Sequence, residues 1–164
     1  MDTPQLLESQ HLIRFPDCDP FNHLNNARYL DYFINAREDQ IWEAYQINIY
    51  HLAKVEGKSW VVGSNQIAYL KPAMLMETVT IQTQLVEHSS TDLLVEMRMY
   101  DQSKKQLKAV LWSRFVHYNL KTMGRDEHGS DFMELFAKAE LPVTQKSFET
   151  RVMALRQEAQ AQKA

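Results

Sequence analysis

Residues 15–33 read FPDCDPFNHLNNARYLDYF. Asp17, Asp19, His23, Asn25 and Asn26 fall within ten residues, and an apolar run with helical spacing starts behind them at Ala27. The free N–H groups of a helix start, at the positive end of its dipole, can stabilise an oxyanion. A carboxylate beside them can act on the same carbonyl as general base or nucleophile. Asp17 and Asp19 precede Asn26 by nine and seven residues, enough chain to fold one of them back over the helix start. His23 and Asn26 can orient a water or the carbonyl. These residue types suit hydrolysis of an activated carbonyl compound. They equally suit a plain turn at Asp17 and Asp19 with asparagines capping a helix, and local chemistry leaves both readings open.

Other chemistries find little support. Asp17-x-Asp19 resembles the start of a calcium loop, but the sixth position is Asn22 rather than Gly and the twelfth is Arg28 rather than Glu. The six histidines, at 11, 23, 51, 88, 117 and 128, show no zinc-ligand spacing. No metal or cofactor is expected. Four glycines in the whole chain leave no phosphate-cradling loop, and there is no G-x-S-x-G nucleophile turn. The single cysteine, Cys18, is flanked by two carboxylates that disfavour its thiolate.

The elements that must position the cluster follow from periodicity. Residues 10–16 predict a short strand closed by Pro16. Leu30, Phe33, Ile34, Ile41, Ala44 and Tyr45 recur at helical steps, and no Pro or Gly occurs from Phe21 to Glu56. This predicts one long helix of about five turns, N-capped by Asn25 or Asn26. Four β-rich segments follow, 59–70, 77–87, 93–100 and 106–120, with Val79, Ile81, Thr83 and Leu85 on one face of the second. Most of the joining turns are short, so the strands are antiparallel, and the helix is the main element available to cover the sheet. Asp131 and Glu134 predict a capping box for a helix through Lys138, ended by Pro142. Phe148, Val152 and Leu155 form a stripe predicting a helix docked on the domain or on a partner subunit, frayed after Glu158. The expected division is a domain over 1–140 and a helical tail over 141–164.

The chain has 164 residues, a formal net charge of −3, 45% hydrophobic and 24% charged residues. One globular α+β domain fits, and nothing global invites nucleic acid. The N-terminal segment lacks a signal-peptide pattern, and no apolar run approaches membrane-span length. One cysteine suits a reducing compartment. The expected location is cytoplasmic.

The segment DCDPFNHLNNARYLDYFINARE resembles the active-site region of 4-hydroxybenzoyl-CoA thioesterase-like proteins of the hot-dog fold superfamily. IAYLKPA and FVHYNLKTMGR resemble later strands of that family, so the likeness spans roughly residues 8–140. It implies a hot-dog fold, an antiparallel β-sheet wrapped around one long central α-helix. It also implies acyl thioester hydrolysis, with acyl-CoA or an acyl-carrier-protein thioester as partner. The family's catalytic aspartate, second of the D-x-D pair, falls on Asp19. Its main-chain oxyanion donor falls on Asn26. One bacterial branch has a histidine at that place; here the histidine stands three residues earlier as His23, which implies a positioning role. The branch that uses a glutamate after H-G-G is not matched.

Hot-dog proteins join sheets edge to edge, implying a homodimer or dimer of dimers. Asp17, Tyr29, Ser64, Asn65 and Gln66 are then substrate-binding candidates, the last three facing Asp19 of the partner subunit. Tyr29, Phe33, Trp60 and Tyr69 are candidate acyl liners or plain core. Lys104, Lys105 and Lys108 form one candidate phosphate-binding cluster for coenzyme A, and Lys121 with Arg125 a second; both also fit solvated turns. Two alternatives stand beside the thioesterase. DCDPFNH resembles the D-x-N-P-x-H signature of hot-dog enoyl-CoA hydratases, although Asp19 replaces its asparagine and His23 lies one residue too far on. A non-catalytic acyl-CoA-binding hot-dog protein is the other.

Overall fold

The computed structural model describes residues 2–162. Its strands are β1 (Leu6–Leu12), β2 (Lys58–Tyr69), β3 (Thr78–His88), β4 (Asp92–Asp101), β5 (Leu107–Asn119) and β6 (Gly124–Arg125). Its α-helices are α1 (Tyr29–Tyr45), α2 (Ile49–Val55), α3 (Ser130–Ala139) and α4 (Phe148–Ala161). The sheet is antiparallel, in the order β1-β3-β4-β5-β2, with the short β6 paired to the end of β5. It curls around α1, the hot-dog fold.

Alternation along the strands sorts side chains between two layers. On the concave side Val79, Ile81 and Leu85 of β3, Val95, Met97 and Met99 of β4, and Ala109 and Leu111 of β5 surround Tyr29, Phe33 and Ala36 of α1. Those three helix residues stand four and three apart, one stripe of a helix. On the convex side Val86, Leu94, Val110 and Trp112 receive Phe148, Val152 and Leu155 of α4. The predicted stripe is thus docked on this chain's own sheet. Each such fully buried side chain contributes roughly 1.5–3 kcal/mol. A capping box, Ser147 with Thr150, starts α4.

Charge is also buried under α4. The Glu96 carboxylate, almost fully buried, accepts from Arg98 Nη1 (2.6 Å), Trp112 Nε1 (2.8 Å), and Arg151 Nε and Nη2 (both 2.8 Å). Burial pushes this carboxyl up, but the bonds from Arg151 and Trp112 and the charges of Arg98 and Arg151 together outweigh it. The group lies below its usual range.

Several boundaries differ from the sequence reading. β1 occupies Leu6–Leu12 rather than residues 10–16: its ladder with β3 ends where Leu12 pairs with Thr78, and Ile13 beyond it bonds to Glu77 O and Met76 N–H in the loop before β3. Phe15–Asp17 is instead a 3₁₀ turn with Pro16 inside it. α1 keeps the expected length of about five turns and ends at Gln46, which is left-handed (φ 58°, ψ 32°) and donates its backbone N–H to Trp42 O and Ile41 O. Asn48 then caps α2 through the N–H groups of Tyr50 and His51. α3 is capped by Gly129 without a side-chain bond, so Asp131 and Glu134 make no capping box; Glu134 pairs with Lys138. α4 continues past Glu158 to Ala161.

Candidate active site

The cluster sits in a folded loop between β1 and α1. Asp17 N–H bonds to Arg14 O and Cys18 N–H to Phe15 O, closing the 3₁₀ turn. The chain then doubles back on itself. Cys18 lies opposite Leu24, Asp19 N–H donates to His23 O (2.8 Å), and Asn22 N–H to Asp19 O (3.0 Å). Asn22 takes φ 61°, a left-handed value asparagine tolerates. Leu24 N–H donates to Ala73 O and Leu75 N–H to Asn22 O, tying the loop to the β2–β3 connection.

The two aspartates have different surroundings. Asp17 Oδ2 accepts the Tyr32 hydroxyl (2.7 Å), and Tyr32 accepts the Arg14 N–H (3.0 Å). Burial, followed by the Asp17 carboxylate, pushes the Tyr32 phenol up to about 12. Asp17 therefore anchors the loop to α1. Asp19 Oδ1 accepts the N–H groups of Phe21 (2.8 Å) and His23 (3.1 Å). Among the described residues Asp19 Oδ2 takes no partner. Cys18 is pushed up by burial and then by Asp17 and Asp19, so its thiol stays protonated.

The helix starts with a 3₁₀ turn over Asn26–Arg28 before α1 proper. Asn25 is its cap: the side chain accepts Ala27 N–H (3.0 Å) and the carbonyl accepts Arg28 N–H (2.8 Å). Asn25 N–H itself donates to Asp17 O. The Asn26 N–H, between them, has no acceptor among the described residues. Asn26 O accepts the Tyr69 hydroxyl (2.9 Å), and the Tyr29 hydroxyl accepts Ala73 N–H (3.1 Å). Tyr29 and Tyr69 meet edge to face at 5.1 Å. Tyr29 is buried core, with its phenol raised by burial. Sequence reasoning left out Tyr32, Tyr69 as an anchor of Asn26, and Ala73. Only the tertiary pairing of loop, β2 and β3 brings these together.

Asp17, Asp19, His23, Asn26 and Tyr29 therefore share one end of the sheet. Ser64, Asn65 and Gln66 lie midway along β2, an outer strand exposed on both faces from Val61 to Gln66. The lysine candidates scatter. Lys104 pairs with Glu8 and Lys105 is exposed, both in the β4–β5 turn. Lys108 does not join them: it is buried, bonded to Pro72 O and paired with Glu77 (both 2.9 Å). Lys121 and Arg125 lie at the opposite end of the sheet, beyond β5, where Arg125 pairs with Asp92 (3.5 Å). Phe33 is core, and Trp60 belongs to an aromatic group with His117, His128, Phe132 and Phe136. Among the described residues no group of His, Cys, Asp and Glu is placed to hold a metal ion. None of their helices is long and apolar enough to cross a membrane.

Comparison with known proteins agrees with this architecture. The family model "Thioesterase-like superfamily" matches residues 13–161. The long-chain acyl-CoA thioesterase FadM of Escherichia coli is 27% identical over 116 residues, 71% of this chain and 86% of FadM. A hypothetical Staphylococcus aureus protein solved in complex with CoA superposes with a TM-score of 0.76 at 14% identity, over 90% of this chain and 92% of its own. A 1,4-dihydroxy-2-naphthoyl-CoA thioesterase from Synechocystis gives 0.74 at 12% identity, over 84% and 99%. The last two likenesses are of fold. The match over nearly the whole chain, on a sheet curled about α1, makes this protein a member of the hot-dog thioesterase-like superfamily.

Proposed function

We propose that the protein hydrolyses an acyl thioester of coenzyme A or of acyl-carrier protein, with Asp19 as general base towards water or as nucleophile. The observation that carries this reading is the state of the Asp19 carboxylate. One oxygen is held by two backbone N–H groups, and the other has no partner among the described residues, in the loop that leads to the helix start. Orientation is thereby fixed while an oxygen stays available, as a base or nucleophile requires. The unengaged Asn26 N–H at the start of the helix serves as oxyanion donor. His23 contributes its backbone to the clamp on Asp19 and positions it. Asp17 acts through Tyr32 by holding the loop.

The similarity to FadM, a long-chain acyl-CoA thioesterase, supports the substrate class. The unpaired β2 edge supports a homodimer joined at that strand, with Ser64, Asn65 and Gln66 at the junction. Lys104 and Lys105 stand at the same end of the sheet as Asp19 and remain the candidates for the CoA phosphates; Lys121 and Arg125 lie at the far end.

The test is free-thiol release from short, medium, long and aromatic acyl-CoAs by wild type and Asp19→Asn. A fall in kcat of about a hundredfold or more, with fold and binding kept, is the expected result. No turnover on any thioester by folded wild type would sink the proposal and favour an acyl-CoA binder.

A further inference from the structure

Arg37 lies on α1, eleven residues past Asn26, facing β3. Its Nη1 donates to Thr83 Oγ1 (2.9 Å). Thr83 donates onward to Gln40 Oε1, and Gln40 Nε2 donates to Ser9 Oγ and Ile81 O. That polar row is satisfied within itself and offers the guanidinium one acceptor, against five N–H donors. Among the described residues no carboxylate lies in ion-pair range of Arg37. The side chain is half-buried and borders a cavity. Burial lowers it to about 10, which leaves it charged at neutral pH.

Arg37 borders a cavity of about 90 Å³ between the second half of α1 and the concave sheet, whose walls are almost wholly apolar. Ile34, Ile41, Leu93, Phe115 and Phe136 supply apolar walls. Glu38 also borders it, but its carboxylate accepts the Tyr50 hydroxyl (2.8 Å) towards α2. Tyr45 and Ile47 line both this cavity and a surface groove bounded by α2 and α3. A half-buried guanidinium with one side-chain acceptor has donors left for an anionic ligand.

We propose that this cavity binds the carboxylate end of an apolar chain, with Arg37 as the anchor and the aliphatic walls taking the adjoining carbons. A guanidinium suits this because its planar fork matches a carboxylate in bidentate fashion. The volume is below the roughly 300–1,000 Å³ of a site that swallows a whole ligand, so one chain end fits. Two sources share this chemistry. One is a free monocarboxylic acid entering through the groove. The other is the far end of a dicarboxylic acyl thioester reacting at the start of the helix, roughly 16 Å away by helical rise. Only the second rests on the thioesterase reading.

The test has a binding arm and a turnover arm. Hexanoate and 1-hexanol are titrated into wild type, Arg37→Met and Arg37→Lys, followed by NMR at the methyl groups of Ile34 and Ile41. Wild type should bind hexanoate about tenfold or more tighter than hexanol. Arg37→Met should lose that preference and Arg37→Lys keep part of it. Dodecanedioyl-CoA is then compared with dodecanoyl-CoA. A kcat/KM preference for the diacid that vanishes in Arg37→Met assigns the chain-end source; hexanoate binding without that preference assigns the free acid. If no thioester is turned over, the thioesterase reading fails while the binding arm still decides the cavity. Equal binding of hexanoate and hexanol by wild type overturns the proposal. So does hexanoate binding unchanged in Arg37→Met, or in Arg37→Gln should the first variant not fold.

Discussion

Asp17 and Asp19 stand two residues apart and differ by what meets each carboxylate. Asp17 is bonded to Tyr32 on α1, whereas among the described residues Asp19 is bonded only to its own loop and keeps one oxygen open. A second contrast lies at the other end of the sheet. His128 Nε2 faces Trp60 Nε1 (3.0 Å) and its Nδ1 faces Ser89 O (3.0 Å). The indole can only donate and the carbonyl only accept, so the neutral ring with hydrogen on Nδ1 fits both. Burial lowers His128, and the Ser89 bond opposes that only in part. A group whose folded pKa is depressed below its unfolded value gives stability that is present above the unfolded value and lost as pH falls. Stability should therefore decline below about pH 6.5, with a change in Trp60 fluorescence. His128→Asn should flatten that part of the profile; an unchanged profile would refute the assignment.

At the scale of elements, α4 is held by an apolar stripe and one charged clasp. Arg151 supplies two of the four bonds to Glu96. Arg151→Met should destabilise the protein by about 3 kcal/mol, since a buried carboxylate loses a partner. Hydrogen exchange over 148–161 should rise before the sheet opens. Because the Glu96 carboxyl is depressed in the fold, its contribution is full above its unfolded pKa of about 4.3 and fades as pH falls below it. Acid should loosen α4 early, and Arg151→Met should weaken that response; equal acid sensitivity in both proteins would count against the clasp. The break at Gln46 has a different consequence. It turns Ile47 and Ile49 inward to line the cavity beside Arg37, which a continuous helix would carry past it.

For the whole molecule the decisive feature is an unfinished sheet. β1 and β2 are its two edges, and β2 exposes Val61 and Val62 at 41% and 47% beside a bulge between Val62 and Ser64. Long exposed edges with apolar side chains invite pairing. Wild type should sediment as a dimer, and Val61→Lys with Val62→Lys as a folded monomer. A wild-type monomer at micromolar concentration would reject that interface. Turnover by such a monomeric variant would show that the Asp19 loop works without a neighbour.

Local order was legible where neighbours in sequence are neighbours in space. The alternation of β3 obeys the pleat and Asn25 caps because a side chain reaches only the next turn, whereas α1 buries Tyr29, Phe33 and Ala36 and leaves Leu30, Ile34, Ile41, Ala44 and Tyr45 of the expected stripe half-buried. The D-x-D pair in front of a helix was visible for the same reason. What the chain alone could not decide depended on residues far apart in it. β1 starts and stops where β3 offers partners, so its bounds were misplaced. Lys108 seemed to belong with Lys104 and Lys105, but it lies beyond the turn on β5 and turns inward to Glu77. Arg37 stands at a helical step between Ile34 and Ile41, and only the curl of the sheet around α1 brings it against Thr83 and to the edge of a cavity. Periodicity carries which face a residue takes; what stands opposite that face is set by packing across the whole fold.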